Sequence, residues 1–448
     1  MSGGDENAVS PFLLAVVRAM AIRGDWDRSS ALRRTLIHAG RHSPFYRDRF
    51  RSLRIRPEAV HGPAELSRLP FTLPGDIAAD PFRFLAVPLS QIQHIWETGG
   101  TTGRPKMAFY TSGDVKRIRR ITRLGMALRG VRRGDIAQIC FAFGRPSWPI
   151  GSFLQAVLEP MGCLILPVGN EQPVEKQIQT MERFGSTLLF STPSYLRRLT
   201  EEGKRIRDLR SLPVRMITLG AEPFSEAFRR SAADAWGAEV FDTYGMIEMG
   251  NLIAGECSLH QGMHLDPDQI VEVIDPQSGR PLPPGGEGEL VYTTLRRVGM
   301  PLIRYRSGDI ARLVQEPCTC RTMPTARISR IAGRTDQMTF LGTGENVTPS
   351  EFDEIMAGIA GVLAYQVVLQ RTGYRDHILI RVEAEEPSPA MREAIVTALY
   401  RRLPFVRHDV EQSQTIDPPE VEFVAALSLQ QTGQVKHPAF IDLREREP

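Results

Sequence analysis

Short apolar runs alternate with amphipathic stretches through the middle of the chain. The apolar runs are rich in β-branched and aromatic residues and predict strands, whereas the stretches between them have the three- to four-residue apolar spacing of helices. The predicted strands are QIQHIW, DIAQICFAFG, GCLILPVG, STLLFSTPS, VRMITLG and AEVFDTYG, and the predicted helices are VEKQIQTMERFG, SYLRRLTEEGKRI and SEAFRRSAADAWG. This alternation favours crossover connections, so it predicts an α/β fold with a mostly parallel sheet.

Different patterns flank this alternation. Towards the N-terminus, PFLLAVVRAM and SSALRRTLIHAGRHSPFYRDRF have helical spacing, and Ser29 or Ser30 is expected to cap the second stretch. The Pro/Gly-rich stretch DPQSGRPLPPGGEGELVYTTL predicts a β subdomain with a hairpin. After RIAGRTDQM the pattern becomes that of a compact α+β unit. We therefore predict a large N-terminal domain of residues 1–336 and a small C-terminal domain of residues 337–448.

Composition excludes several classes of protein. The 448 residues are 42% hydrophobic and 24% charged, with a formal net charge of +3, as in ordinary globular proteins. The small net charge argues against nucleic-acid binding, and no apolar run is long enough to cross a membrane. An odd number of cysteines and an acidic N-terminus argue against a secreted disulfide protein. These features predict a cytoplasmic enzyme with no nucleic-acid or membrane partner.

The stretch IWETGGTTGRPKMAFYT predicts a loop that binds phosphate. Its glycines allow several backbone N–H groups to point into one concavity, and its hydroxyl groups and lysine add donors for phosphate oxygens. The spacing fits neither the Walker nor the dinucleotide motif, and the alternative is a flexible surface hairpin. The residues concerned are Thr98, Gly99, Gly100, Thr101, Thr102, Gly103 and Lys106.

Three further residues have side chains suited to a nucleotide. Tyr244 offers a flat ring beside Gly245, Glu248 offers the hard oxygen that Mg²⁺ prefers, and Asp309 can accept two hydroxyl hydrogen bonds. Each residue also has an ordinary alternative: a core tyrosine, a surface acid and a Gly-Asp turn.

The order of these motifs resembles the phenylacetate–CoA ligase branch of the adenylate-forming enzymes. The matching segments run through most of the chain and include SPFYRDRF, LSRLPFTLPGDI, TGGTTGRPK, STPSYL, LGAEPFS, DTYGMIEMG, LIRYRSGDI, GRTDQMTFLGTGENVTPSEFDE and QTGQVK. The resemblance implies an acid–thiol ligase that uses ATP and Mg²⁺ to make an acyl adenylate and then a coenzyme A thioester. It also implies a mobile C-terminal domain that turns about Asp336.

The resemblance assigns roles to individual residues. The loop from Thr98 to Lys106 would hold the β- and γ-phosphates, Tyr244 would stack on adenine, Glu248 would help to hold Mg²⁺, and Asp309 would bind the ribose hydroxyls. The remaining residues expected around the nucleotide and acyl group are Gly220, Ala221, Glu222, Pro223, Asp242, Gly245 and Arg334.

The acid and its acceptor are less clear from the sequence. Phe143, Trp148 and Ile150 follow a predicted strand and could surround an aromatic acid, although the same residues would also suit a core. At the position of the family's C-terminal lysine the chain has Gln434, so we expect Lys436 to reach the site instead.

Glu97, Trp148 and Gln434 leave other functions open. One alternative is transfer of the acyl group to a carrier protein, an amine or another nucleophile in a specialised (secondary) biosynthetic pathway. Another is a nucleotide-binding homologue that has lost acyl activation. The resemblance also raises the expectation of a homodimer.

Cysteines and histidines form a second candidate site. Some relatives hold structural zinc with a similar set, and three thiols with one imidazole would satisfy its tetrahedral preference. The alternative is a group of reduced, partly buried thiols. The candidate ligands are Cys257, His264, Cys318 and Cys320.

Overall fold

The structure is a computed structural model that describes residues 27–98, 106–143, 149–320, 325–335, 339–342, 345–425, 428–429 and 440–444. The chain divides into two compact units. The first comprises Met1–Gly169 and Phe241–Arg330, and the second comprises Asn170–Val240 and Ile331–Pro448. Within the described ranges, no helix has the length and apolar character needed to span a membrane.

Helices occur in both units. In chain order they are α1 Arg28–His42, α2 Pro44–Ser52, α3 Pro74–Ala79, α4 Ser112–Leu128, α5 Ile150–Leu158, α6 Val174–Phe184, α7 Pro193–Ile206, α8 Glu226–Trp236, α9 Pro349–Ala357, α10 Pro389–Arg402 and α11 Pro404–His408.

Strands also occur in both units. In chain order they are β1 Ile92–Glu97, β2 Met107–Thr111, β3 Ile136–Ile139, β4 Leu164–Leu166, β5 Leu188–Ser191, β6 Met216–Gly220, β7 Glu239–Met246, β8 Asn251–Glu256, β9 Met263–Leu265, β10 Gln269–Ile274, β11 Glu287–Thr294, β12 Tyr305–Val314, β13 Arg327–Ile328, β14 Gly333–Arg334, β15 Thr339–Leu341, β16 Glu345–Val347, β17 Val362–Thr372, β18 Arg375–Ala384, β19 Glu420–Phe423 and β20 Phe440–Asp442.

The first unit contains an antiparallel series of strands. Strand β10 pairs with β11, β11 with β12, β12 with β13, β13 with β9, β9 with β8, and β8 with β7. In the same unit, β3 and β4 pair in parallel, and β1 and β2 form a two-stranded antiparallel hairpin. Helix α4 follows β2 directly and packs against this hairpin.

The second unit combines a parallel strand pair with a four-stranded sheet. Strands β5 and β6 are parallel and fully buried, which explains their continuous apolar sequences. The other sheet has the order β19-β18-β17-β20. Its central strands bury Val367, Leu369, Ile378, Ile380 and Val382 in one apolar core.

The α/β class is confirmed, and the predicted strands and helices of the central region all occur with shifted ends. The expected cap of the first described helix is wrong. Asp27 caps α1, because its carboxylate accepts a hydrogen bond from Ser30 N, whereas Ser29 and Ser30 are already within the first turn. PFLLAVVRAM lies outside the described residues, and the domain boundary at Asp336 stays a prediction.

Asp114 fixes the start of α4. Thr111 Oγ1 accepts a hydrogen bond from Asp114 N, and the Asp114 carboxylate accepts one from Thr111 N at 2.9 Å, which together form a capping box. The same buried carboxylate also accepts hydrogen bonds from Val298 N and Gly299 N at 2.8 and 2.9 Å. One side chain therefore joins the start of α4 to the loop between β11 and β12.

We expect Asp114→Ala to lower the free energy of unfolding by about 2 to 4 kcal/mol, because three backbone N–H groups, of which that of Gly299 is buried, lose their carboxylate acceptor. Urea denaturation measures the change. Asp234→Ala, at an exposed position in α8, is the control and should change the unfolding free energy by less than about 0.5 kcal/mol. Equal effects of the two substitutions would contradict the role of Asp114.

Candidate active site

Hydrogen bonds between Thr98 and Lys106 join the ends of β1 and β2 where the predicted phosphate loop begins and ends. Thr98 N donates to Lys106 O at 3.0 Å, and Lys106 N donates to Thr98 Oγ1 at 3.1 Å. The two ends of the predicted phosphate loop are therefore adjacent. Gly99, Gly100, Thr101, Thr102 and Gly103 lie outside the described residues.

Lys106, Glu248 and Tyr305 form a three-membered polar cluster. Lys106 Nζ lies 2.6 Å from Glu248 Oε1 and donates to the Tyr305 hydroxyl at 3.2 Å. The Tyr305 hydroxyl donates to Glu248 Oε1 at 2.8 Å. Tyr305 and Glu248 are buried, whereas Lys106 is partly exposed. The cluster therefore places a carboxylate directly beside the end of the loop.

The surroundings of Glu248 keep its carboxylate ionised. Burial opposes ionisation, but the charge and hydrogen bond of Lys106 and the hydrogen bond from Tyr305 outweigh it. The net result is a lowered pKa of Glu248. A buried anion with a nearby cation is able to take part in binding a metal ion or a phosphate group.

The backbone that carries Glu248 is held from several sides. Tyr110 donates its hydroxyl hydrogen bond to Ile247 O, and Arg297 donates to Glu248 O at 2.5 Å and to Met249 O at 2.7 Å. Arg297 also lies over the Tyr110 ring, with its guanidinium carbon 4.8 Å from the ring centroid. These contacts fix the short 3₁₀ turn Ile247–Met249 and hence the direction of the Glu248 side chain.

Tyr244 and Asp309 meet in the first unit. The Tyr244 hydroxyl donates to Asp309 Oδ2, and burial, followed by the charge of Asp309, raises the pKa of Tyr244 well above its ordinary value. Gly245 is required beside Tyr244, because a Cβ there would overlap the carbonyl oxygen of Asn251. Gly308 lies within strand β12 rather than in a turn, and its φ of +77° is one that glycine adopts most readily.

Other expected site residues occupy defined positions. Asp242 is buried and accepts a hydrogen bond from Arg330 at 3.1 Å, while Phe143 and Ile150 lie near the start of α5 in the first unit. In the second unit, Glu222 accepts hydrogen bonds from Ser194 N and Oγ at 3.0 and 2.9 Å. Also in the second unit are Gly220, Ala221, Pro223 and Arg334. Trp148, Asp336, Gln434 and Lys436 lie outside the described residues.

Cys257, His264, Cys318 and Cys320 come together in the first unit. Their potential ligand atoms all lie within 4.8 Å of one another. Cys257 Sγ is 3.7 Å from Cys318 Sγ, and Cys320 Sγ is 3.4 Å from His264 Nε2. His260, in the same sequence motif, interacts instead with Glu256, with 3.2 Å between Nδ1 and Oε2.

Sequence reasoning missed Tyr305, Tyr110 and Arg297. Tyr305 belongs to the quoted motif LIRYRSGDI, so the motif could have suggested it, but nothing in the spacing shows that its hydroxyl reaches Glu248. Tyr110 and Arg297 act through the backbone of the turn that carries Glu248, and such long-range contacts leave no local signal.

Comparisons with known proteins agree with this geometry. Residues 90–295 match the family AMP-binding enzyme, and residues 344–444 match the AMP-binding enzyme C-terminal domain. The phenylacetate-coenzyme A ligase of Thermus thermophilus is 34% identical over 363 residues, which cover 80% of each chain. The enzyme of the same name from Escherichia coli is 32% identical, with 81% of this chain and 82% of the relative covered.

A solved structure is similar over nearly the whole chain. The 2-hydroxyisobutyryl-CoA ligase in the postadenylation state, in complex with R3-HIB-AMP, has a TM-score of 0.81 and 25% identity. The match covers 99% of this chain and 94% of that one.

These findings define an adenylate-forming enzyme, a class of protein that uses ATP to activate a carboxylic acid as an acyl adenylate. Within that class the chain belongs to the phenylacetate–coenzyme A ligase family. It is accordingly an AMP-forming acid–thiol ligase, whose reaction passes through the adenylate to a coenzyme A thioester.

We expect Tyr305→Phe to lower the unfolding free energy by about 1 kcal/mol and to slow acid-dependent pyrophosphate–ATP exchange several-fold, because Glu248 and Lys106 lose a shared partner. Denaturant titration and the exchange assay measure the two effects. Tyr374→Phe, at an exposed tyrosine, is the control and should change neither. An unchanged exchange rate in Tyr305→Phe would show that the cluster does not support adenylation.

Proposed function

We propose that this ligase activates an aromatic carboxylic acid and transfers the acyl group to coenzyme A. The observation that carries the proposal is the Lys106–Glu248–Tyr305 cluster at the base of the loop. The names of the relatives, which specify phenylacetate, support an aromatic acid. Phe143 and Ile150 supply apolar surface in the same unit.

Two displacements make up the reaction. In the first, an oxygen of the acid attacks the α-phosphorus of ATP, and the bond to the β-phosphate oxygen breaks to release pyrophosphate. In the second, the coenzyme A thiol loses its proton and attacks the acyl carbon, and AMP leaves. The protein contributes positioning and stabilisation of negative charge, and Lys106 is placed to neutralise phosphate charge.

Glu248 suits the role of a magnesium ligand. It is a buried, ionised carboxylate with hard oxygens, and its pKa is held below the ordinary value. Bound Mg²⁺ would supply positive charge to the phosphate oxygens. The chain's own contribution is to fix the Glu248 carboxylate through Tyr305 and through the hydrogen bonds of Arg297 to the turn.

The other assigned roles extend this proposal. Tyr244 offers its ring to adenine, and Asp309 offers its carboxylate to the ribose hydroxyls. Their mutual hydrogen bond supports this pairing, because it holds the ring and the carboxylate next to each other. Adenine and acyl contacts by Gly220, Ala221, Glu222, Pro223 and Arg334, the hinge at Asp336 and catalysis by Lys436 remain predictions.

We expect Glu248→Gln to reduce acid-dependent exchange of labelled pyrophosphate into ATP by about 10²-fold or more, because a neutral amide neither pairs with Lys106 nor attracts Mg²⁺. Aromatic acids should support exchange in the parent enzyme better than aliphatic acids of equal size. Glu159→Gln, at an exposed position after α5, is the control. Full exchange activity in Glu248→Gln, or no exchange with any aromatic acid in the parent, would contradict the proposal.

The second half-reaction tests which molecule accepts the acyl group. Strict dependence of AMP formation on coenzyme A supports the thioester proposal, whereas coenzyme A-independent AMP formation favours a carrier protein or an amine. Transfer to a carrier protein and homodimer formation remain predictions.

We also propose that Cys257, His264, Cys318 and Cys320 bind structural zinc. Tetrahedral zinc with Zn–S bonds of about 2.3 Å and Zn–N bonds of about 2.0 Å separates two sulfurs by about 3.8 Å and a sulfur from a nitrogen by about 3.5 Å. The separations of 3.7 Å between Cys257 and Cys318 and 3.4 Å between Cys320 and His264 fit these values. Zinc bound there would join the β8–β9 region to the segment after β12.

We expect the purified enzyme to contain one zinc ion per chain. We expect the Cys320→Ser variant to lose most of this zinc and to melt at a lower temperature than the parent enzyme. Elemental analysis by mass spectrometry measures the metal, and differential scanning calorimetry measures the melting temperature. Cys163→Ser removes a buried thiol in the same unit that is not among the four, and it should keep the zinc. A zinc-free parent enzyme after growth with added zinc would exclude the site.

A further inference from the structure

One face of helix α4 carries a stripe of positive charge. The stripe consists of Lys116, Arg119, Arg120 and Arg123, whose spacing of i, i+3, i+4 and i+7 places them on the same side of the helix. The buried residues of α4, including Val115, Ile118 and Thr122, lie at other positions. The helix therefore separates an apolar packing face from a cationic face.

His94 of strand β1 extends the stripe. Burial and then the charge of Arg119 lower the pKa of His94, and burial and then the charge of Arg123 lower the pKa of Arg119. Helix α4 packs against strand β1, which places His94 on the strand beside this helix. Strand β1 leads into the predicted phosphate loop, β2 follows the loop, and α4 follows β2 and packs against both strands. The stripe is therefore carried by the helix that packs against the hairpin.

Two other arginines of this region have carboxylates close to them. Arg117, in the same helix, forms a two-pronged interaction with Asp268. Arg129, just after the helix, donates to Glu256 O at 2.6 Å, and the carboxylates of Glu256 and Asp242 lie close enough to raise its pKa against the lowering effect of burial. Arg117 and Arg129 therefore each lie close to carboxylates of the same chain.

The stripe lacks such partners in the described part of the chain. There, the side chains of Lys116, Arg119, Arg120, Arg123 and His94 form neither an ion pair nor a hydrogen bond. The Nε atom of Arg119 is buried and has no acceptor among the residues that the structure describes. Like charges at these helical spacings repel one another, so an anion from outside this set would relieve the repulsion.

We propose that the stripe on α4, together with His94, is a binding site for the phosphate groups of coenzyme A. This inference rests on the proposed function, because it takes coenzyme A as the acceptor. Arginine forks match phosphate oxygens in a bidentate manner, and the partly exposed side chains of Arg119 and Arg123 have no acidic partner within the described chain.

The length of the stripe favours a ligand with several phosphates. Lys116 and Arg123 are seven residues apart, which corresponds to about 10 Å along a helix. A single inorganic phosphate contacts part of such a stripe, whereas the 3′-phosphate and the diphosphate of coenzyme A, which are joined through one ribose, can contact most of it. Pyrophosphate shares this chemistry and is the competing ligand.

The test is steady-state kinetics of a double substitution, Arg119→Gln with Arg123→Gln. We expect the KM for coenzyme A to rise about tenfold or more relative to the KM for ATP, because charge-assisted hydrogen bonds to phosphate are lost. With 3′-dephospho-coenzyme A as the acceptor, the same substitutions should have a much smaller effect. Arg119→Lys with Arg123→Lys keeps the positive charge but not the bidentate fork, so it should restore only part of the affinity.

Arg33→Gln with Arg34→Gln removes the same charge from exposed positions of α1 and is the matched control, which should not change the KM for coenzyme A. An unchanged KM for coenzyme A in the α4 variant, or an effect on pyrophosphate inhibition alone, would overturn the site. Failure of the proposed function is distinguishable, because the parent enzyme would then make no thioester with coenzyme A.

Discussion

The buried carboxylate of Glu248 needs a cation, and Lys106 supplies it at 2.6 Å. This pairing is costly to separate, because an uncompensated charge inside a protein is strongly unfavourable. It brings the end of the β1–β2 hairpin to the turn after β7, and Tyr305 at the start of β12 completes the contact. Three segments that are distant in sequence are thus joined by one set of hydrogen bonds next to the loop.

The backbone around Glu248 is as well supported as its side chain. Tyr110 and Arg297 occupy the carbonyl oxygens of Ile247, Glu248 and Met249, so this turn cannot rotate without breaking several buried hydrogen bonds. Such rigidity suits a reaction in which the protein mainly positions charged groups. The turn is therefore held in place by hydrogen bonds to its own backbone.

The sequence predicted the elements and the chemical types better than the contacts. The carboxylate type at Glu248 and the glycine before Asp309 are local features that can be read directly from the sequence. The Tyr305–Glu248 contact and the carbonyl contacts of Arg297 depend on packing between segments far apart in the chain. The error at the cap of α1 has a different cause, since serine and aspartate are both suitable caps and the helix begins at Arg28, directly after Asp27.

The first unit contains two kinds of cationic side chain, those with partners and those without them in the described chain. Lys106, Arg117 and Arg297 are held by acids or carbonyl oxygens, which fixes their positions. The stripe on α4 is left without such partners in the described chain, and its cations are close enough to disfavour one another. Cations that are paired within the chain have fixed positions before a ligand binds. Cations without a partner form their favourable charge interactions only when an anionic ligand binds. An enzyme that handles two phosphate-rich substrates in succession has use for both kinds, because the first must be oriented for attack and the second must be attracted and then released.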